Sequence, residues 1–259
     1  MTIAALPNAQ IHYELRGPEN LPVLVFSNSL GTTLEMWDSQ LGDFTKHFRV
    51  LRYDTRGHGR SEIKPGDYTI AELAADVLQL LDHLQFDRVH FCGLSMGGAI
   101  GIYLGAHSAQ RFRKLVLCNT AAKFGTPETW NARIQAVQSG GMKAVAGGVI
   151  ERWYTERFRN QHMLETEVTR TMLENANPRG YLSCCAAVRD VDARPYLANV
   201  SVPSLVLTGT YDPVTPPSEA QFLVSHIPAS RYAEVSAAHL SNIEARDDFN
   251  QHVLKFLLA

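Results

Sequence analysis

Five short apolar runs punctuate this chain of 259 residues: "PVLVFSN" (22–28), "RVLRYD" (49–54), "VHFCGL" (89–94), "KLVLCNT" (114–120) and "SLVLTG" (204–209). Each is the length of a strand, and all but the more polar "RVLRYD" are too uniformly apolar to have one face in water. Such runs belong to strands buried on both sides. Patterns with helical spacing lie between them, as in "TIAELAADVLQLLDHL" (69–84) and "SEAQFLVSHI" (218–227), and "DDFNQHVLKFLL" (247–258) follows the last strand. Buried strands alternating with helices specify a parallel sheet covered on both faces, an α/β fold. Two further strands are expected. "IHYELRG" (11–17) alternates apolar and polar, which suits a half-buried antiparallel strand, and "RYAEVS" (231–236) reads as the last strand.

The rhythm breaks once. From about 124 to 190 no strand-like run occurs. The segments there read as helices, punctuated by Gly140–Gly141 and by the Asn177–Pro178 step. The expected organisation is a single domain whose core comprises residues 1–122 and 191–259, with residues 123–190 as a helical cap inserted over one edge of the sheet. The net charge of −2 and the lack of a basic run argue against a nucleic-acid partner. No apolar stretch approaches the roughly 18 residues needed to cross a bilayer, so no membrane partner is expected. The N-terminal stretch has no cationic segment followed by a long apolar one, so no secretory signal is expected. Cys92, Cys118, Cys184 and Cys185 form no C-x-x-C pair. They read as reduced thiols of a cytoplasmic protein without a metal site, Cys92 and Cys118 filling a strand core.

The chemistry concentrates at "FCGLSMGGA" (91–99). Ser95 sits where strand 89–94 must turn into helix 96–107, a turn that drives its middle residue into a strained backbone region. Gly93 and Gly97 complete G-x-S-x-G and remove side chains that would collide there. The turn lifts the hydroxyl above the carboxyl ends of the strands and leaves the Met96 N–H free at a helix N-terminus. The alternative reading of Ser95 is a helix N-cap.

A serine hydroxyl needs a base, and the base an orienting acid. On a sheet built around such an elbow the chain order is serine, acid, histidine. His226, His239 and His252 follow the candidate acids. His226 and His252 fall on amphipathic helices, whereas His239 lies in the small-residue loop "SAAHLSN" after the last strand. Asp212, just beyond strand 204–209, can reach a histidine leaving the next strand. Asp190 and Asp192 precede that strand. His58, in "DTRGHGRS", comes before the serine and reads as part of a structural turn with Arg56 and Ser61. The second oxyanion donor is expected from the loop after strand 22–28, where the Leu30 N–H is the candidate beside that of Met96. Many such enzymes carry His-Gly at positions 28–29, but this chain has Asn28 and Ser29.

Over its whole length the chain resembles the serine hydrolases of the α/β-hydrolase superfamily. More narrowly it resembles the bacterial 3-oxoadipate enol-lactone hydrolases of aromatic catabolism. That narrower resemblance rests on "GLSMGG" (93–98), "LVLCNTAAKFGTPETWNARI" (115–134), "GYLSCCAAVRDVD" (180–192), "DPVTPP" (212–217) and "AAHLSNIE" (237–244). It implies an eight-stranded, mostly parallel sheet with a helical cap, no cofactor, and a small anionic enol-lactone as substrate. The substrate's unreactive carboxylate needs a cationic partner. Arg133 is the first candidate, with Arg189 and Lys123 as rivals, because a guanidinium grips a carboxylate through two parallel bonds. Trp130, Trp153 and Tyr154 are candidate wall residues, with a place in the hydrophobic core as the alternative. The motifs leave open another carboxylesterase, a C–C bond hydrolase or perhydrolase, and a ligand receptor that keeps the fold without turnover. An aspartate-dependent dehalogenase or epoxide hydrolase is disfavoured by a serine at the elbow.

Overall fold

The computed structural model describes residues 2–259. Eight strands form one sheet: β1 (Thr2–Ala5), β2 (Gln10–Arg16), β3 (Val23–Ser27), β4 (Arg49–Tyr53), β5 (Val89–Leu94), β6 (Phe112–Cys118), β7 (Ser204–Gly209) and β8 (Ser230–Val235). Their spatial order is β1-β2-β4-β3-β5-β6-β7-β8. β2 runs antiparallel to both β1 and β4, and every pair from β4 to β8 is parallel. The apolar runs account for the centre. Every residue of β5 and β7 is buried, as strands covered on both faces require. β1, which the sequence reading did not foresee, is four residues long and buries only Ala4. A strand that short at a sheet edge has too little apolar periodicity to be seen.

Eleven helices accompany the sheet among the described residues: α1 (Asp38–Phe44), α2 (Ile70–His83), α3 (Met96–His107), α4 (Pro127–Gly140), α5 (Lys143–Trp153), α6 (Glu156–Gln161), α7 (Met163–Glu174), α8 (Pro178–Asp190), α9 (Pro217–His226), α10 (Ser241–Glu244) and α11 (Arg246–Leu258). Local chemistry sets their ends. Thr69 and Glu72 close a capping box at the start of α2. Gly141, at φ +67°, follows the last residue of α4, and Asn177 caps α8 with Pro178 in its first turn. α4 to α8 all lie between β6 and β7 in the chain, with α4 packed on both α5 and α8. No described helix is long and apolar enough to cross a membrane.

The topology places the chemistry. The chain leaves β3 toward β4 on one side and returns to β5 on the other, so the strand order reverses at β3 and β5. The loops at their carboxyl ends must separate there and leave a crevice. The loop after β3, the turn after β5 and the loops after β6, β7 and β8 all open on that same edge.

Candidate active site

Ser95 has φ +58° and ψ −114°, and although it occupies the N-cap position of α3 its side chain makes no capping hydrogen bond. A non-glycine residue held there costs of order 1–3 kcal/mol and must be braced. The brace is visible. The Ser95 N–H donates to the Cys118 carbonyl at 2.9 Å, and its carbonyl accepts from Thr120 Oγ1 at 2.8 Å. Gly97 N–H donates to the Asn28 carbonyl at 3.0 Å. A Cβ on Gly97 would overlap the Ser27 carbonyl, and one on Gly93 would overlap that of Gly97. These glycines are what let α3 start directly against β3.

His239 and Asp212 come together as the chain order predicts. His239 Nδ1 donates to Asp212 Oδ2 at 2.8 Å, with both side chains buried. Asp212 accepts four more hydrogen bonds: Oδ1 from the Val214 and Thr215 N–H groups at 2.8 and 3.1 Å, Oδ2 from Asn119 Nδ2 at 2.9 Å and Thr215 Oγ1 at 2.7 Å. Burial alone would raise its pKa. The adjacent His239 and the hydrogen bonds outweigh burial and hold it below the usual carboxylate value. The His239 loop is tied to the helical segment. The Leu240 N–H donates to the Trp153 carbonyl at 3.0 Å, and Glu244 receives the Ala238 N–H at 2.9 Å together with the Thr155 N–H and hydroxyl.

Ser95 and His239 line one small chamber of about 30 Å³ with Ser29, Leu30, Trp130 and Trp153. Neither the Ser95 hydroxyl nor His239 Nε2 has a hydrogen-bond partner among the described residues. The N–H groups of Leu30 and Met96 are also without one. That of Met96 is an orphan because it opens a helix. The Leu30 and Met96 N–H groups, both left without an acceptor, are the candidates for holding negative charge that develops on an atom bonded to Ser95.

The chamber opens at Phe124, Trp130, Arg133, Arg152 and Val214 into a wider cavity of about 530 Å³ between α4 and α5. Arg133 and Arg152 stand at this neck, half-buried, and neither pairs with a carboxylate among the described residues. Arg133 lies over the Trp130 ring at 4.7 Å, whose Nε1 is satisfied by the Phe124 carbonyl at 2.7 Å. Burial, and then the like charge of Arg133, press the pKa of Arg152 down. Two guanidinium groups lining one chamber without an acid of their own are a candidate anion site.

Most candidates read from sequence are gathered here, and several are not. Trp130, Arg133 and Trp153 line the chamber. Tyr154 does not: it is fully buried, with its hydroxyl on Thr169 Oγ1 at 2.8 Å, and belongs to the core. Arg189 is held by Asp190 at 2.7 Å, and Lys123 does not line the chamber. Asp190 pairs with Arg189 and Asp192 with Arg194, while His226 and His252 are exposed on their helices. Asn28 is structural. Its amide donates to the Tyr53 carbonyl at 2.8 Å and accepts from Trp37 Nε1 at 3.0 Å. Sequence reasoning missed Asn119 and Arg152. Asn119 directly follows β6 at φ +43°, and besides Asp212 it donates to the Ala238 carbonyl at 3.2 Å and accepts from Ser241 Oγ at 2.6 Å. Its position at the carboxyl end of a buried strand was the available signal. Arg152 sits next to Trp153 in "ERWYTER" and had none.

Comparison with known proteins agrees with this architecture. The family model for the alpha/beta hydrolase fold matches residues 22–246. Two 3-oxoadipate enol-lactonases of Acinetobacter baylyi are 42% and 39% identical to the chain, covering 94% and 92% of it and 91% and 89% of their own lengths. The crystal structure of the enol-lactonase from Burkholderia xenovorans LB400 superposes with a TM-score of 0.98 at 43% identity, with all of both chains covered.

Proposed function

The chain belongs to the alpha/beta hydrolase fold family, and from that premise we propose that it is a serine hydrolase opening the ring of 3-oxoadipate enol-lactone in bacterial breakdown of aromatic compounds. The observation that carries the reading is the meeting of two features in one chamber. One is a bare serine hydroxyl beside an Asp-held histidine. The other is a pair of guanidinium groups with no acid of their own. The first is acyl-transfer chemistry, and the second selects a small ester that carries a carboxylate.

In this reading Ser95 Oγ attacks the ring carbonyl carbon while His239 Nε2 takes its proton, and Asp212 stabilises the imidazolium. The N–H groups of Leu30 and Met96 hold the oxyanion. Losing one such donor typically costs about 3–4 kcal/mol in the barrier. The tetrahedral intermediate collapses with cleavage of the ring C–O bond. The leaving group is an enolate, a weaker base than an alkoxide. It is protonated to a ketone, which makes ring opening hard to reverse. Water activated by His239 then attacks the acyl-enzyme and releases the diacid. Arg133 and Arg152 grip the carboxylate that does not react. A ring substrate reaches Ser95 from the wider cavity through the neck at Phe124, Trp130, Arg133, Arg152 and Val214.

The test is the ultraviolet loss of freshly prepared 3-oxoadipate enol-lactone, with wild type and Ser95→Ala compared. Rapid loss with wild type and background loss with Ser95→Ala is the expected result. A wild type that leaves the lactone intact but cleaves a simple aryl ester removes the substrate assignment and keeps the serine chemistry. Tight lactone binding without turnover would make the protein a receptor.

A further inference from the structure

His58 is one of the most completely buried ionisable groups in the molecule, 2% exposed, and the chemistry above gives it no task. It lies in the turn after β4, where its own N–H donates to the Thr55 carbonyl and its carbonyl accepts from the Ser61 N–H, so the turn expected from the sequence is present. The imidazole does something the sequence did not announce. Its Nε2 accepts the Gly31 N–H at 2.8 Å, while Nδ1 faces the Arg56 carbonyl at 3.5 Å and Cys184 Sγ at 3.8 Å. A backbone N–H cannot accept, so Nε2 bears the lone pair and the ring proton is on Nδ1.

Gly31 follows Leu30, which lines the chamber and whose N–H has no acceptor among the described residues. The Leu30 N–H and the Ser29 carbonyl belong to one rigid peptide plane and point in opposite directions. That carbonyl is held on the far side by the Thr32 N–H at 3.2 Å and Thr32 Oγ1 at 2.8 Å. The next plane, between Leu30 and Gly31, is held by His58 alone through the Gly31 N–H. Gly31, at φ +84°, lacks the steric restriction that would otherwise stiffen it.

We propose that His58 is a positioning residue for the oxyanion site: its neutral imidazole fixes the Leu30–Gly31 peptide, and through it the direction of the Leu30 N–H toward Ser95. The inference rests on the reading of Leu30 as an oxyanion donor. The imidazole is seated by α8. Cys184 Sγ donates to the Arg56 carbonyl at 3.4 Å, and a Cβ on Gly180 would overlap the Gly57 carbonyl. The titratable groups around it are Asp54 and Cys184, while Arg56 presents its carbonyl and keeps its guanidinium on Asp76. Burial holds the His58 pKa down to about 4, against the opposing pull of the Arg56 carbonyl and Asp54. The acceptor state is therefore the one present at neutral pH.

Two measurements test this. Nitrogen-15 NMR of wild type is expected to show His58 protonated on Nδ1, with coupling from Nε2 to the Gly31 amide across the hydrogen bond. A proton on Nε2 overturns the proposal, and this readout needs no variant. The second measurement uses p-nitrophenyl acetate, a neutral ester whose cleavage does not depend on the lactone assignment. It compares His58→Gln, whose side-chain oxygen reaches the place of Nε2, with His58→Asn, whose amide reaches only that of Nδ1. Full loss of an oxyanion donor costs about 10²–10³ in kcat, so a misaimed one should cost about 10- to 100-fold. We expect that loss for His58→Asn with KM changed less than about threefold, a parallel loss of affinity for a boronic acid forming a tetrahedral adduct on Ser95, and recovery to within about fivefold in His58→Gln. Wild-type kcat in His58→Asn beside an inactive Ser95→Ala overturns the proposal, as does an equal fall in both variants. Activity surviving in Ser95→Ala would instead remove the reading of the site on which it rests.

Discussion

Asp212→Asn exchanges one oxygen of the most heavily hydrogen-bonded carboxylate at the site for an NH2 group, and the structure dictates where that group must go. The Oδ1 position receives two backbone N–H groups, from Val214 and Thr215, which cannot turn to accept. The amide oxygen therefore takes that place and the NH2 occupies that of Oδ2. There it meets His239 Nδ1, Asn119 Nδ2 and Thr215 Oγ1. The threonine hydroxyl can rotate and accept. The imidazole can satisfy the new donor only by accepting at Nδ1, which moves its proton to Nε2. A protonated Nε2 cannot take the proton from Ser95. The analogous exchange in a serine protease lowers kcat about 10⁴-fold through the wrong tautomer, which corresponds to about 5.5 kcal/mol in the barrier. We expect a loss of that order in kcat on an aryl ester, with KM within about threefold because the pocket walls are untouched. Asn119 Nδ2 would face the new NH2, so a stability loss of about 1–3 kcal/mol should accompany it in urea unfolding. A folded Asp212→Asn enzyme within tenfold of wild-type kcat would refute the tautomer argument.

Two further outcomes follow from the arginines and from the buried histidine. Arg133→Ala and Arg152→Ala are each expected to raise KM for the anionic lactone by about 10-fold or more, and to leave that for a neutral aryl ester nearly unchanged, since a charge-assisted hydrogen bond contributes about 1.5–3 kcal/mol. Equal losses on both substrates would sink the carboxylate role. His58 is neutral in the fold down to about pH 4, whereas in the unfolded chain it binds a proton below about 6.5. The unfolded state is thus favoured as pH falls between these values. The His58 contribution is intact above about pH 6.5 and declines toward pH 4, by roughly 3 kcal/mol at most at 1.36 kcal/mol per unit. His90, also lowered to about 4 by burial and by Lys114, Arg113 and Arg88, acts in the same direction. Urea unfolding of wild type and His58→Gln at pH 7 and pH 5 should therefore show a shallower decline for the variant, and parallel declines would contradict the buried neutral state.

Features that a few neighbouring residues decide can be read from the chain alone. Uniformly apolar runs of strand length have no solution except burial on both faces, which yields the parallel sheet. Gly93 and Gly97 around Ser95 make sense only where a strand turns into a helix under contact with another strand, which the overlap with Ser27 makes concrete. Asp212 and His239 were legible because they fall just past strand ends, and parallel strands carry all such ends to one edge. β1 was not legible, since four residues with one buried side chain have no period to read. What converges from separate loops depends on the packed fold. Trp153 faces the chamber while its neighbour Tyr154 enters the core, because helix α5 ends between them and the direction changes. Arg152 becomes an anion ligand candidate only because α4 brings Arg133 opposite it. Asn119 braces Asp212 from 93 residues away, and His58 reaches Gly31 across 27. A backbone conformation is set by sterics within a few residues, whereas the partner of a buried donor is set by whichever distant segment the packed core delivers to it, and no local pattern encodes that choice.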